Sequence, residues 1–137
     1  MWWIYALLSA LFAALTAVFA KIGIRNVDTD LATAVRTVVV LVLAWAIAFL
    51  RGGTGSITSL TKQNLIFLVL SGIATGLSWI FYFKALQLGK ISQVAPVDKL
   101  SVALAIIFSI VFLGETLTLK TAIGAICIIA GTIIIVL

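Results

Sequence analysis

Five apolar runs, each near the length needed to cross a bilayer, fill almost all of the 137 residues and leave only short polar seams between them. A spanning helix takes roughly 20 apolar residues at about 1.5 Å of rise each. The runs at 2–20, 31–50, 65–86, 91–113 and 119–137 reach or approach that length. Lipid offers no partner to an open amide or carbonyl, so each run must close its backbone hydrogen bonds internally as an α-helix. Composition agrees, with 64% hydrophobic residues, 9% charged and a mean hydropathy of +1.36. The expected fold is all-α and integral to the membrane, with five transmembrane helices in a single domain over residues 1–137. A chain so built acts on what crosses, enters or assembles within the bilayer.

Several classes of function drop out on chemistry. There is no histidine, one cysteine, and four carboxylates spread over separate segments. No metal-ligand spacing or phosphate-cradling P-loop is present, so neither a metal, a cofactor nor ATP drive is expected, and the chain is not expected to be an enzyme. Cys127 lies within the fifth run and suggests no disulfide. The net charge of +5 sits at helix ends rather than on one solvated basic face, which argues against nucleic acid. The first run lacks a basic leader and exceeds a signal peptide's apolar core, so it is expected to remain as a span.

The seams carry turn and cap chemistry. Asp28, Thr29 and Asp30 are N-cap candidates for the second helix. Arg51 to Ser56 reads as a flexible Gly/Ser turn with little structure of its own, and Thr61 with Asn64 opens the third helix. Leu88, Gly89 and Lys90 form a tight turn, and Gly114 to Thr118 join the last pair. Short connections make sequential helices antiparallel neighbours.

An odd number of crossings puts the termini on opposite sides. The N-terminal side collects Arg51, Lys62 and Lys120; the other collects Lys21, Arg25, Lys84 and Lys90. Lys and Arg in short loops set orientation, and this imbalance is small. It fits either one topology with a weak signal or insertion both ways. Many secondary transporters consist of two inverted repeats around a midplane site. No internal duplication supplies both repeats here, so an oppositely inserted second copy is the expected source of the other half.

In lipid, helices associate where small residues let backbones approach. Gly72 and Gly76, with Ser71, Ala74 and Thr75 around them, form such a face on the third helix. Ala10, Ala13, Ala14 and Ala17 form another on the first. Both are expected to pack within one protomer. Gly124 and Gly131, two turns apart on the last helix with Cys127 between, suit packing within the protomer or between protomers.

The segment from Val94 to Glu115, with Pro96 near its start and Gly114-Glu115 at its end, precedes a last helix holding Gly124 and Ala130-Gly131. Together they resemble the C-terminal half of an EamA domain of the drug/metabolite transporter superfamily. Lys21 and Arg36 fit the same pattern, and the resemblance covers essentially the whole chain. It implies one EamA-like inverted-repeat half, of the single-domain five-helix prokaryotic type, working as a dimer in the plasma membrane. The paired glycines are also similar to the dimerising last helix of small multidrug resistance transporters. The first helix here has no carboxylate, however, so the proton-coupled cation mechanism of those proteins does not carry over.

Ionisable groups at membrane depth point to function by default. Asp98 and Lys99 lead. A helix starting near Ser92 buries them about 9–10 Å deep, whereas Pro96 as the first helical residue would leave Asp98 complementing the helix dipole. Successive residues point about 100° apart on a helix, so the two are not expected to pair with each other; Arg36 and Lys84 are the candidate partners of Asp98. Burial would make Asp98 a proton-exchanging coupling group, and a cationic neighbour a fixed anion. Arg36 and Lys84 either snorkel to the interface or face a cavity with Lys99, which would then suit an anionic or zwitterionic solute. Trp79, Tyr82 and Phe83 either line that cavity or contact lipid. Trp2, Trp3 and Tyr5 read as an interfacial belt, and Glu115 as a structural carboxylate just before the last helix.

The reading that follows is a secondary transporter of a small solute, working by alternating access as an antiparallel homodimer in the bilayer. A non-transporting membrane subunit and one half of a heterodimeric transporter are the alternatives.

Overall fold

The computed structural model describes residues 1–137 as α-helices joined by short turns, with no strand. The helices are α1 (Trp2–Gly23), α2 (Thr29–Leu50), α3 (Lys62–Leu88), α4 (Ile91–Asp98), α5 (Leu100–Leu113) and α6 (Leu119–Val136). With Ile91–Leu113 taken as one crossing, five segments are long and apolar enough to span a membrane. The all-α membrane fold expected from the sequence is therefore what the chain adopts.

Side-chain caps set the helix starts. The Asp28 carboxylate accepts the amides of Asp30 and Leu31, each at 3.0 Å, and so begins α2 two residues before its apolar run. Thr61 Oγ1 accepts the Asn64 amide at 3.2 Å ahead of α3. Thr118 Oγ1 does the same for Thr121 at 3.2 Å ahead of α6. Glu115, expected just before the last helix, lies three residues ahead of Thr118, whose hydroxyl supplies the cap.

Two further expectations are corrected. The second linker was read as unstructured, yet Gly53–Ser59 forms a 3-10 helix. Gly52 enters it at φ 69°, and its hydroxyls bond back three residues, Ser59 Oγ to the Ser56 carbonyl at 2.7 Å and Thr58 Oγ1 to that of Gly55 at 3.5 Å. The fourth span was read as one helix and is broken at Lys99. Pro96 has no amide to give the Ser92 carbonyl and its ring crowds the preceding turn. The backbone tightens in response: the Lys99 amide meets the carbonyls of Pro96 at 3.0 Å and Ala95 at 3.3 Å.

Gly114 ends α5 at φ 68°, and the amides of Gly114 and Glu115 turn back onto the Ser109 carbonyl. A Cβ in that left-handed conformation costs about 1–2 kcal/mol. Gly114→Val is expected to lower the midpoint of thermal unfolding in detergent by about 3–8 °C, the shift that such a cost produces in a domain of this size. An unchanged midpoint would show that the turn tolerates a side chain.

The chain divides into two compact units, residues 19–87 and residues 1–18 with 88–137. Within the latter, α6 lies against α4 and α5, and Thr132 is buried where they meet. In the former, the ends of α1 and α3 and the linker between α1 and α2 are tied by polar side chains. Lys21 Nζ donates to the carbonyl of Leu86, which is fully buried. Gln87 Nε2 donates to the carbonyls of Val27 at 3.0 Å and Ile24 at 3.4 Å. Helix ends leave carbonyls without partners, and here the polar residues of neighbouring segments supply them.

Most apolar surface has no protein cover. Residues 37–47 of α2 and 62–75 of α3 are exposed all round the helix, which is how a span faces lipid. Gly72 and Gly76 are expected to pack within the protomer; within their own unit a Cβ at either would meet no atom within 4 Å. The same holds for Gly124 and Gly131 in theirs. Of the first-helix alanines, Ala17 is buried while Ala10, Ala13 and Ala14 are exposed.

Candidate functional site

Arg36 lies two turns into α2, just beyond Thr33, whose hydroxyl returns to the Thr29 carbonyl at 2.8 Å. Its guanidinium carbon stands 4.3 Å from the ring centroid of Trp79 and 5.2 Å from that of Phe83. Trp79 and Phe83 are four residues apart on α3 and so share a face. A guanidinium at membrane depth is costly without compensation, and the π faces offset part of that cost, by about 0.5–1 kcal/mol for a group that is only part-buried. The contact engages the charge while its planar N–H fork stays suited to a carboxylate or phosphate.

Phe83 is the residue that sequence reasoning underweighted. It is 3% exposed, whereas Lys84, expected either to snorkel to the interface or to face a cavity, is exposed. One residue turns a helix by about 100°, so the face that receives Arg36 takes Phe83 and turns Lys84 away. The i, i+4 spacing of two aromatics carried that signal.

In the unit holding α4, α5 and α6, Asp98 and Lys99 were expected to diverge, and the structure corrects this. Lys99 Nζ stands 3.3 Å from Asp98 Oδ2. The 100° rule applies along a continuous helix, and α4 ends between these two residues, which lets the lysine stem fold back. With Lys90 as N-cap and α4 starting at Ile91, Pro96 is inside the helix rather than first in it. Asp98 is thus in the last turn of α4, roughly 10 Å from its start. The side chains of Lys99 and Asp98 are 57% and 35% exposed. A pair so open is worth about 0–1 kcal/mol, so either partner can be drawn to another group at little cost.

Thr132 was not singled out from the sequence. Its hydroxyl lies 2.8 Å from the Ile128 carbonyl on its own helix and 3.2 Å from the Pro96 carbonyl on α4. The one hydroxyl in the apolar stretch of residues 122–136 was the available sign, since polar groups in lipid seek partners across helices.

The chain matches the EamA-like transporter family over residues 1–137. It is 47% identical over 133 residues to an uncharacterized transporter in the cobO 3' region of a Sinorhizobium species, covering 97% of this chain and 94% of that relative. It is 32% identical to the uncharacterized transporter YxxF of Bacillus subtilis, over 93% of this chain and 40% of that one. It is 33% identical to human solute carrier family 35 member G1, over 91% of this chain and 34% of that protein. No solved structure matches the chain significantly.

Proposed function

This chain belongs to the EamA-like transporter family, and on that premise we propose that it moves a small anionic or zwitterionic solute by alternating access, as an antiparallel homodimer driven by a proton or solute gradient. It is a multi-pass prokaryotic membrane protein of a transporter family.

The observation that carries the mechanism is the interrupted fourth span. Discontinuous helices with ionisable residues at the break are typical of substrate and coupling-ion sites in secondary transporters. Here the break falls at Asp98 and Lys99, about 10 Å into the span by helical rise. Because their mutual pair is weak, Asp98 serves as the coupling group when Lys99 turns to the solute. Arg36, seated on Trp79 and Phe83, presents the fork that selects an anionic group. The whole chain acts as one transport domain, a reading supported by a family match that runs through all its residues.

Three observations support the second, inverted copy. The cations divide three against four between the two sides. Small-residue positions at Gly72, Gly76, Gly124 and Gly131 make no close approach within their own units. The longer Bacillus and human relatives are matched over well under half their lengths, leaving room in them for a second such unit.

Uptake into proteoliposomes tests the reading, with a panel of labelled small carboxylates, amino acids and quaternary ammonium compounds. Asp98→Asn and Lys99→Met are each expected to reduce uptake by about ten-fold or more, the loss of one charged hydrogen-bonding partner. Preference for quaternary ammonium compounds would overturn the anionic assignment. Silence across the panel, with stable capture of another membrane protein, would overturn transport in favour of an assembly subunit.

A further inference from the structure

The Thr132 hydroxyl has one proton and two carbonyls within reach, at 2.8 Å on Ile128 and 3.2 Å on Pro96. We propose that Thr132 is a positioning residue, a releasable latch that holds the last turn of α4 against α6 and thereby sets where Asp98 and Lys99 stand. Three facts fit a latch better than a fixed strut. When the proton turns wholly to Ile128, an ordinary bond four residues back along the helix satisfies the hydroxyl. The Pro96 carbonyl also keeps a partner, because the Lys99 amide meets it at 3.0 Å. Release therefore leaves no orphaned polar group in a low-dielectric setting, where one would cost several kcal/mol.

The third fact is the place of the bond. Pro96 has already removed one rung from α4, and the helix stops at Lys99, so the backbone that can flex lies directly beyond the carbonyl that Thr132 holds. Thr132 is 5% exposed, so water does not substitute readily for either acceptor. Swinging the end of α4 away from α6 moves both ionisable side chains together. The use made of that motion rests on the alternating-access reading above; its detection does not.

The test is solute-free. Val97, exposed beside the break, is replaced by cysteine in a Cys127→Ser background, and the protein is reconstituted into liposomes. The rate of labelling by a membrane-impermeant methanethiosulfonate is then compared among Thr132 variants. Thr132→Val keeps the shape and removes the donor; it is expected to speed labelling about three-fold, the population change that an interhelical hydrogen bond of usual size in a membrane protein controls. Thr132→Ser restores the donor and is expected to label at the parental rate. Hydrogen exchange at the Lys99 amide provides a second readout, expected to accelerate in Thr132→Val and not in Thr132→Ser. Equal rates in all three proteins would overturn the latch. So would a Thr132→Ser protein that behaves like Thr132→Val, since packing of the methyl rather than the hydroxyl would then be responsible. Loss of uptake across the solute panel with an intact labelling difference would sink the transport reading and leave the latch standing.

Discussion

Arg36→Met is expected to reduce uptake of carboxylate solutes into proteoliposomes by about 10- to 100-fold, the loss of a charge-assisted hydrogen bond worth roughly 1.5–3 kcal/mol. Arg36→Lys is expected to fall between, because an ammonium keeps the charge but lacks the planar fork that meets both oxygens of a carboxylate. Trp79→Leu removes the nearer of the two rings, 4.3 Å from the guanidinium. Its effect is expected to be smaller, about three-fold, since a cation–π contact of this kind contributes about 0.5–1 kcal/mol where water still has access. The ordering of the three is the informative result. Uptake by Arg36→Met at the parental rate would remove Arg36 from the solute path, and a Trp79→Leu loss larger than that of Arg36→Met would make the aromatic pair the binding element instead.

Forcing the chain into one orientation is expected to abolish transport. Replacing Arg51 and Lys120 by alanine leaves Lys62 alone on the N-terminal side against Lys21, Arg25, Lys84 and Lys90 on the other. Replacing Ser56 and Thr116 by arginine shifts the balance the opposite way. Loop Lys and Arg govern insertion, so each variant is expected to label from one side only at a cysteine added to its terminus. Uptake should drop by about ten-fold or more in either variant alone, because a protomer then lacks the inverted partner that completes the pathway. Co-expression of the two is expected to restore it. Full uptake by a uniformly oriented population would end the antiparallel proposal.

The spans were legible because apolar length is read directly against bilayer thickness. Their starts were partly so: Asp28 and Thr61 stand just ahead of apolar runs, where a cap belongs, whereas Thr118, which caps the last helix, read only as part of a linker. The break in the fourth span was not. Pro96 is equally at home as the first residue of a helix and as an interruption within one, and sequence spacing does not distinguish the two. Once α4 starts at Ile91, the proline is internal, the helix stops before Lys99, and the Asp98–Lys99 pair becomes possible. The same limit hid Phe83 behind Lys84. Charge in a span draws attention, yet the face that Arg36 meets is set by helix rotation, which a run with apolar residues on every side does not encode.

Membrane residence, the helical class and the number of crossings were thus determined by the amino-acid order alone, since a backbone in lipid has no choice but to satisfy itself within each run. Which polar groups meet was decided only in three dimensions. Arg36 on Trp79 and Phe83, and Thr132 on the Pro96 carbonyl, are contacts between residues distant in the chain. Their cause is helix phase and the position of one break, quantities that a nearly uniform hydrophobic pattern leaves open and tertiary contacts fix.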